Sequence, residues 1–259
     1  MMNDAPNDTT DVTTTWTDED TQDFLDYGEY FVPERSLQLD IIRALVGSVL
    51  ERRRLPKAAT IADIGCGAGL LTEMLLEQFP TIRVLALDGS SRMLRETKKR
   101  VQRFGERVTF RQISLEDQSW LNIEMCTVWV SSLVIHHLDD KGKQELFCNI
   151  AHSTEPGGAL VISDLIKPTA PVGFRIAADC WDIAVRANSE ADEGNTRAFD
   201  RFKELRWNYF SDTDPDPVDK PSGLIEQLQW LASSGFEAVD VYWMKAGHAI
   251  FSGFKPDVK

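Results

Sequence analysis

The sequence has few of the features that mark disulfide-rich, membrane-bound or secreted proteins. Its four cysteines, Cys66, Cys126, Cys148 and Cys180, form no CxxC pair, so the sequence indicates neither a disulfide framework nor a zinc knuckle. No apolar run is long enough to span a membrane, and the amino-terminal stretch MMNDAPNDTTDVTTTWTDED lacks the basic start and apolar middle of a signal peptide. We therefore expect a soluble, cytoplasmic protein with reduced thiols.

Basic residues are also scarce. The chain has 28 Lys and Arg against 41 Asp and Glu, which gives a formal net charge of −13. Affinity for a nucleic-acid backbone depends on clustered positive charge, so no nucleic-acid partner is expected. The basic stretches Arg52–Lys57 and Arg92–Arg107 lie where helices are predicted to end or to face solvent, and we interpret both as solvated surface.

The chain does contain enough apolar residues for a sizeable core, since 42% of its 259 residues are hydrophobic. Short apolar runs predict buried strands at residues 60–64, 83–87, 108–113, 125–130 and 159–163. Helical patterns lie before and between them, at residues 17–31, 34–54, 70–79, 91–104 and 141–153. This alternation predicts an α/β fold with a mostly parallel sheet covered by helices on both faces.

After Asp164 the alternation stops. Residues 165–222 are rich in aromatic and acidic residues and predict a helical insertion above the carboxyl edge of the sheet. A helix over residues 223–234 and strands over residues 238–244 and 248–254 follow. The order of the strands in the sheet does not follow from these patterns.

A glycine-rich turn, IADIGCGAGLL, follows the first predicted strand. A phosphate-binding loop of the GxxxxGK[ST] type is excluded because the Lys is missing. The dinucleotide fingerprint GxGxxG would need a small residue where Leu70 stands. What remains is GxGxG preceded by Asp63, an acid that would repel a pyrophosphate and would favour a ligand carrying an ammonium group.

With these residues the sequence resembles the class I S-adenosylmethionine-dependent methyltransferases of the small-molecule type. The acid and GxGxG of the family's first motif match Asp63, Gly65, Gly67 and Gly69, and the acid that closes the second strand matches Asp88 in VLALDGSSRML. The resemblance covers residues 58–164 best. It implies a Rossmann-like, doubly wound sheet with an amino-terminal helical lid, and S-adenosylmethionine as the cofactor.

The resemblance also implies the cofactor contacts. Asp63 would meet the ammonium group, directly or through water, and Asp88 would bond the ribose hydroxyls. The adenine partner stays open between Ser114, the amide of Leu115, and Glu116 in a shifted register. The residues expected to bind the cofactor are Asp63, Gly65, Cys66, Gly67, Gly69, Asp88, Gly89, Met93, Ser114, Leu115 and Ser131, with Leu133 near the transferred methyl group.

On the acceptor side, His137 is the candidate catalytic residue, as a base or as a substrate-orienting group. A purely structural role, in which a ring nitrogen of His137 is hydrogen-bonded to a backbone carbonyl, is equally open. Asp26, Tyr27, Tyr30 and Phe31 belong to the expected lid. Tyr27, Tyr30, Arg175 and Trp181 are the candidate substrate-binding residues, although core packing explains Trp181 equally well. We expect no metal site, because His136 and His137 are adjacent and should point in different directions.

The expected organisation is a disordered tail over residues 1–17 and one methyltransferase domain over residues 18–259. Within that domain, residues 18–55 form the lid and first helix, 56–164 the cofactor-binding core, 165–222 the substrate-side insertion and 223–259 the closing helix and strands. The expected activity is methyl transfer to an O, N or C nucleophile of a small molecule. A carboxy-S-adenosylmethionine synthase-like enzyme of tRNA modification, a non-catalytic S-adenosylmethionine-binding protein, and a homodimer all remain open.

Overall fold

The computed structural model describes residues 18–53, 59–122, 125–211 and 215–257. The tail predicted for residues 1–17 lies outside these ranges. The strands are β1 (Thr60–Ile64), β2 (Arg83–Asp88), β3 (Val108–Gln112), β4 (Cys126–Ser132), β5 (Thr154–Leu165), β6 (Glu237–Lys245) and β7 (His248–Phe254). The α-helices are α1 (Asp18–Phe31), α2 (Arg35–Arg53), α3 (Leu70–Gln78), α4 (Ser91–Val101), α5 (Asp140–Ser153), α6 (Pro171–Glu193), α7 (Arg197–Glu204) and α8 (Leu224–Ser233).

The seven strands form one mixed sheet in the order β3-β2-β1-β4-β5-β7-β6. Strands β1 to β5 are parallel, and β7 joins β5 and β6 by antiparallel pairing. The fold is therefore the Rossmann-like α/β architecture that the sequence predicts. The chain reverses its direction of winding between β1 and β4, and in such sheets the crevice at the carboxyl ends of these strands is where ligands bind.

Apolar side chains cover both faces of the sheet. One layer packs Ile42, Val46 and Val49 of α2 with α3 against the sheet, and the other layer packs α5 and α8 against the opposite face. The sequence of α2 predicts one apolar stripe formed by Leu37, Ile41, Leu45 and Leu50 with Ile42, Val46 and Val49, and Ile42, Val46 and Val49 are indeed fully buried. The first member of the stripe, Leu37, is 46% exposed, so the buried stripe of α2 begins later than predicted.

Strand β5 is longer than predicted. It begins at Thr154, directly after α5, and includes Pro156, Gly157 and Gly158, although this Pro-Gly-Gly stretch predicts a helix stop and a turn before the strand. The backbone groups of this stretch form hydrogen bonds with the residue that follows β7. The amide of Gly157 donates to Lys255 O at 3.1 Å, and the amide of Lys255 donates to Gly158 O at 2.8 Å.

The predicted insertion is helical and forms a cap together with the amino-terminal helix. Helices α6 and α7 pack on α1 around a buried aromatic cluster that we call the cap core, made of Phe31, Trp181, Phe199, Phe202 and Phe210. The indole N–H of Trp181 donates to Phe31 O at 2.7 Å, and Arg201 binds the Asp23 carboxylate with Nη2 at 2.9 Å. No helix within the described ranges is long and apolar enough to cross a membrane.

The cap core should carry much of the stability of the insertion. Replacing fully buried Phe202 by Ala removes ring contacts with Phe31 and Trp181 and should lower the free energy of unfolding by about 3–5 kcal/mol. Ile183→Ala on α6, at a side chain that is 67% exposed, should change it by less than about 0.5 kcal/mol. Urea denaturation measures both, and equal midpoints for the two variants would contradict the assignment of the cap core.

Candidate functional site

The glycine turn after β1 lies at the switch point between β1 and β4. Its glycines all have positive φ angles, which glycine adopts without strain. A Cβ on Gly65 would lie 2.1 Å from Val134 of the segment after β4, and one on Gly69 would lie 2.8 Å from Thr97 of α4. The turn is therefore wedged between two neighbouring elements. Its Cys66 thiol is buried, and burial raises the pKa of that thiol, so it is held as an unreactive thiol.

Asp88 closes β2 and faces this turn. Its carboxylate accepts hydrogen bonds from the amides of Gly67 and Ser90, both at 2.8 Å. Burial raises the pKa of Asp88 and these hydrogen bonds oppose the rise. The hydrogen bonds hold the carboxylate at the mouth of the crevice, where the sequence predicts the ribose contact.

Asp63 lies deeper, at the end of β1, and is 1% exposed. Thr72 Oγ1 donates to its carboxylate at 2.6 Å. Burial raises the pKa of Asp63 to about 6, against the lowering effect of the Thr72 hydrogen bond and of the Arg35 charge. A buried carboxylate of this kind gains from a cation nearby, which fits the ammonium group that the sequence analysis assigns to it.

Arg35 is a residue that the sequence analysis missed. It begins α2, and its Nη1 donates to Ser132 Oγ at the end of β4 at 2.7 Å. Burial lowers the pKa of Arg35 to about 10, and the charge of Asp63 opposes this, so the guanidinium stays charged. No motif in the sequence pointed to it, because only the packing of α2 across the sheet brings a basic residue to this edge.

The predicted adenine side lies at the end of β3. Ser114 Oγ donates to Glu116 at 2.9 Å, so two of the three alternatives for the adenine partner contact each other and the choice among them stays open. Gln112 Nε2 donates to Gly89 O at 2.9 Å, which ties β3 to the turn after Asp88. Met93 is buried in the first turn of α4.

Strand β4 lies on the other side of β1 from β2 and β3 and forms the opposite wall of the crevice. The Ser131 hydroxyl donates to Ile64 O at 3.1 Å, so it joins β4 to β1, while Ser132 contacts Arg35. Leu133 follows with a φ of 61°, a conformation that non-glycine residues rarely adopt, and its amide donates to Ser163 O at 2.9 Å. This kink sends the chain into a short 3-10 helix, Ile135–His137.

The two adjacent histidines of this short helix do not diverge, and that part of the sequence prediction is wrong. His136 Nε2 and His137 Nδ1 each lie 3.3 Å from the same oxygen, Asp219 Oδ1, and their ring centroids are 4.2 Å apart. Two consecutive residues of a 3-10 helix leave the backbone in different directions, but both rings turn towards Asp219, which arrives from the end of the insertion. No motif in the sequence indicates a role for Asp219.

His136 is also fixed from behind. Its Nδ1 lies 2.5 Å from Asp164 Oδ1 and its amide donates to Asp164 Oδ2 at 2.9 Å. Burial disfavours the charged imidazole, but Asp164 and Asp219 outweigh it and raise the pKa of His136 to about 10. Buried Lys143 donates to Leu138 O and Lys220 O, so the chain around Lys220 is fastened over the end of β4.

Three of the four predicted acceptor-side residues lie in or against the cap core, and Arg175 lies outside it. Tyr27 stacks on Phe31 with centroids 6.0 Å apart, and the Tyr30 hydroxyl donates to Asp192 at 2.7 Å. Trp181 is buried in the cap core, and Arg175 is exposed on α6. The lid itself reaches the turn, because a Cβ on Gly67 would lie 3.8 Å from the ring of Phe24 in α1.

The arrangement thus combines two carboxylates beside a glycine turn with a guanidinium and two histidines at the end of the neighbouring strand. The carboxylates fit a ligand with an ammonium group and paired hydroxyls, and the guanidinium fits a carboxylate. Such a ligand carries the functional groups of S-adenosylmethionine. The donor set of this structure therefore fits that cofactor.

The methyltransferase-domain family model matches residues 61–158. A trans-aconitate 2-methyltransferase of Azoarcus sp. (strain BH72) is 31% identical over 114 residues, which cover 44% of this chain and 42% of that protein. A carboxy-S-adenosyl-L-methionine synthase of Campylobacter lari is 25% identical over 111 residues, 43% of this chain and 46% of that protein. The chain thus spans less than half the length of these relatives.

Among solved structures, an O-methyltransferase family protein from Burkholderia thailandensis superimposes with a TM-score of 0.55. The superposition covers 92% of this chain and 69% of that protein. The sequence identity is 15%, which supports a shared fold and nothing more. The family match, the acids beside the glycine turn and the strand order agree. Residues 61–158 thus form a methyltransferase domain of the class I S-adenosylmethionine-dependent type, and the cofactor of that domain is S-adenosylmethionine.

Proposed function

We propose that this protein methylates an oxygen of a small carboxylic acid. The observation that carries the proposal is the division of the switch-point crevice into two sides. Acids at the ends of β1 and β2 flank the glycine turn on the cofactor side, and His137 lies beyond the end of β4 on the other side. When bound, S-adenosylmethionine supplies a methyl group on a cationic sulfur, which leaves as a neutral thioether once an acceptor oxygen bonds to the methyl carbon.

The residues of this chain would hold the cofactor by charge and hydrogen bonding. Asp88 would accept from the ribose hydroxyls and Asp63 would bind the ammonium group. Arg35, held against Ser132, would bind the carboxylate of the methionine part. Each of these contacts is charge-assisted, which makes it about twice as strong as a neutral hydrogen bond. Met93 and Leu115 would line the adenine pocket.

A carboxylic acid acceptor suits the other side. Relatives named trans-aconitate 2-methyltransferase act on an acid of this kind, and a carboxylate is ionised at neutral pH, so no base has to remove a proton. The contribution of the protein is then to hold the acceptor oxygen in line with the methyl group. His137, held by Asp219 and by Val218 O, would orient the acceptor. Tyr27, Tyr30 and Arg175 remain candidates for further substrate contacts.

The second candidate is a carboxy-S-adenosylmethionine synthase-like activity, for which a relative exists in Campylobacter lari. Such an enzyme needs a basic residue for the added carboxylate. Arg35, which stays charged beside Ser132, is a residue of that type. Arg35 therefore supports the carboxy-S-adenosylmethionine synthase-like activity as a second candidate. No single residue supports a non-catalytic role.

An assay with labelled cofactor separates these functions. The protein is incubated with S-adenosylmethionine carrying a labelled methyl group and a set of di- and tricarboxylic acids that includes trans-aconitate. We expect a labelled methyl ester together with S-adenosylhomocysteine, and we expect His137→Ala to lower kcat/KM roughly 100-fold, as misplacing an acceptor does, at unchanged cofactor affinity. A cofactor that gains the mass of a carboxyl group would support the second candidate, and binding without turnover of any acid would oppose both.

Asp88→Ala tests the cofactor side. Loss of its charge-assisted hydrogen bonds should cost on the order of 2–3 kcal/mol of binding free energy, or roughly 30- to 150-fold in the Kd for S-adenosylhomocysteine measured by calorimetry. Asp40→Ala, at an exposed acid of α2, is the matched control and should bind as the unmodified protein does. Unchanged affinity in Asp88→Ala would place the ribose elsewhere.

The pKa of Asp63 predicts a pH dependence of binding. Only the ionised carboxylate attracts an ammonium group, and with a pKa of about 6 in the cofactor-free protein it is about one-tenth ionised at pH 5. The affinity for S-adenosylhomocysteine should therefore rise about tenfold between pH 5 and pH 8. Asp63→Asn should bind more weakly and show no such rise.

The raised pKa of Asp63 also predicts how the stability of the cofactor-free protein depends on pH, which is an independent control. Its folded pKa lies above the unfolded value, so the ionised form destabilises the fold; the cost is absent below about pH 4 and complete above about pH 7. Asp63→Asn should therefore raise the free energy of unfolding at pH 8, by on the order of 2–3 kcal/mol, and leave it unchanged at pH 4. An unchanged stability at pH 8 would show that Asp63 is not buried as a charge.

A further inference from the structure

Three side chains that the motif analysis did not join meet where residues 218–222 cross the end of β4. We call them the histidine cluster: His136, His137 and Asp219. Each offers one nitrogen or oxygen atom that lies within 4.8 Å of the other two. Ligands of this kind, two imidazoles and one carboxylate, form many of the three-residue zinc sites of enzymes.

Two distances within the cluster are long for ion-paired hydrogen bonds, and His137 Nδ1 also lies 3.3 Å from Val218 O. Asp219 Oδ1 lies 3.3 Å from both His136 Nε2 and His137 Nδ1. Charge-assisted hydrogen bonds between N–H and carboxylate are shorter, at about 2.7–2.9 Å. Two ligands bound at about 2.0–2.1 Å to a tetrahedral zinc ion lie about 3.3 Å apart. The spacing is thus that of neighbouring corners of a metal tetrahedron.

A second carboxylate holds the first histidine as metal sites require. Asp164 Oδ1 lies 2.5 Å from His136 Nδ1, on the side of the ring opposite Asp219. Metal-binding histidines commonly donate their second N–H to a carboxylate, which fixes the tautomer and leaves the other nitrogen free for the metal. In His136 that other nitrogen is Nε2, the atom that faces Asp219, so a metal ion bound there would replace the proton that the charged ring carries.

The three side chains of the cluster differ in their exposure to solvent. The side chain of His136 is 7% exposed, whereas those of His137 and Asp219 are 21% and 24% exposed. Three protein ligands leave the fourth tetrahedral position unfilled, as in catalytic zinc sites. The more exposed pair of ligands places that position towards the solvent side of the crevice.

We propose that His136, His137 and Asp219 bind a divalent metal ion of the zinc type, whose open position binds one carboxylate of the acceptor. This rests on the proposed function, and it assigns the orienting contact of His137 to a metal. The sequence predicts no metal site because two adjacent histidines are expected to diverge. In the structure both rings face the same oxygen of Asp219, so that expectation no longer applies. A di- or tricarboxylic acid fits best, because one carboxylate can bind the metal while another accepts the methyl group.

Zinc binding can be measured without any turnover. The full chain is freed of metal with a chelator and titrated with zinc, followed by calorimetry, and with cobalt(II), followed by visible absorption. We expect one ion per chain and the intense absorption of tetrahedral cobalt. His137→Ala and Asp219→Ala should each weaken zinc binding at least 100-fold.

Two matched controls remove an acid and a histidine that lie outside the cluster. Asp216→Ala removes an acid three residues before Asp219 whose carboxylate accepts from the amide of Val218, and His152→Ala removes an exposed histidine of α5. Both should keep the zinc affinity of the unmodified protein. Equal zinc binding in all four variants, or no binding in the unmodified protein, would overturn the proposal and leave the cluster as an ion-paired network.

The role of the metal in binding the acceptor is tested separately, by comparing methyl ester formation with and without zinc. If zinc binds as expected and the rate of methyl ester formation is the same in the chelated protein, the metal site stands and its acceptor role is overturned. If no acid is methylated in either state, the proposed function fails while the zinc titration still decides the site. A rate that falls on chelation and returns with zinc supports the whole proposal.

Discussion

The hydrogen bond from the amide of Gly67 to the carboxylate of Asp88 is the contact on which the cofactor side depends. It joins the turn after β1 to the end of β2, so that two elements separated by a whole helix share one ligand-binding edge. Val134 presses on Gly65 from the other side and joins the segment after β4 to the same turn. The parallel pairing of β1 with β2 and β4 makes these contacts possible.

Electrostatics then divides the crevice. Buried Asp63 and half-buried Asp88 give the cofactor side a negative character, and Arg35 limits the cost of burying Asp63 by placing a charged guanidinium near it. Beyond β4 a second network joins His136 to Asp164 and Asp219. The first network buries charge at a cost in folding free energy, because burial raises the pKa of both acids, and such a cost is typical of sites that bind ligands. In the second network the opposite charges outweigh the burial penalty, so the pKa of His136 is raised.

The cap completes the site from above. Its aromatic core holds α6 and α7 on α1, and α1 brings Phe24 against the glycine turn. The end of the insertion returns over β4, fastened by Lys143 and by a hydrogen bond from the amide of Lys220 to His136 O at 2.8 Å. The insertion therefore serves both as a roof and as the source of Asp219.

The sequence by itself determined the alternation of strands and helices, the glycine turn, and the two acids that follow β1 and β2, because each depends on local periodicity and on short spacings along the chain. Only the tertiary structure decided the order of the strands and the positions of Arg35 and Asp219. Arg35 reaches Ser132 across 97 residues of sequence, and Asp219 lies between two histidines whose side chains alone would diverge. Contacts of this range depend on how whole elements pack, and no local pattern of residues records them.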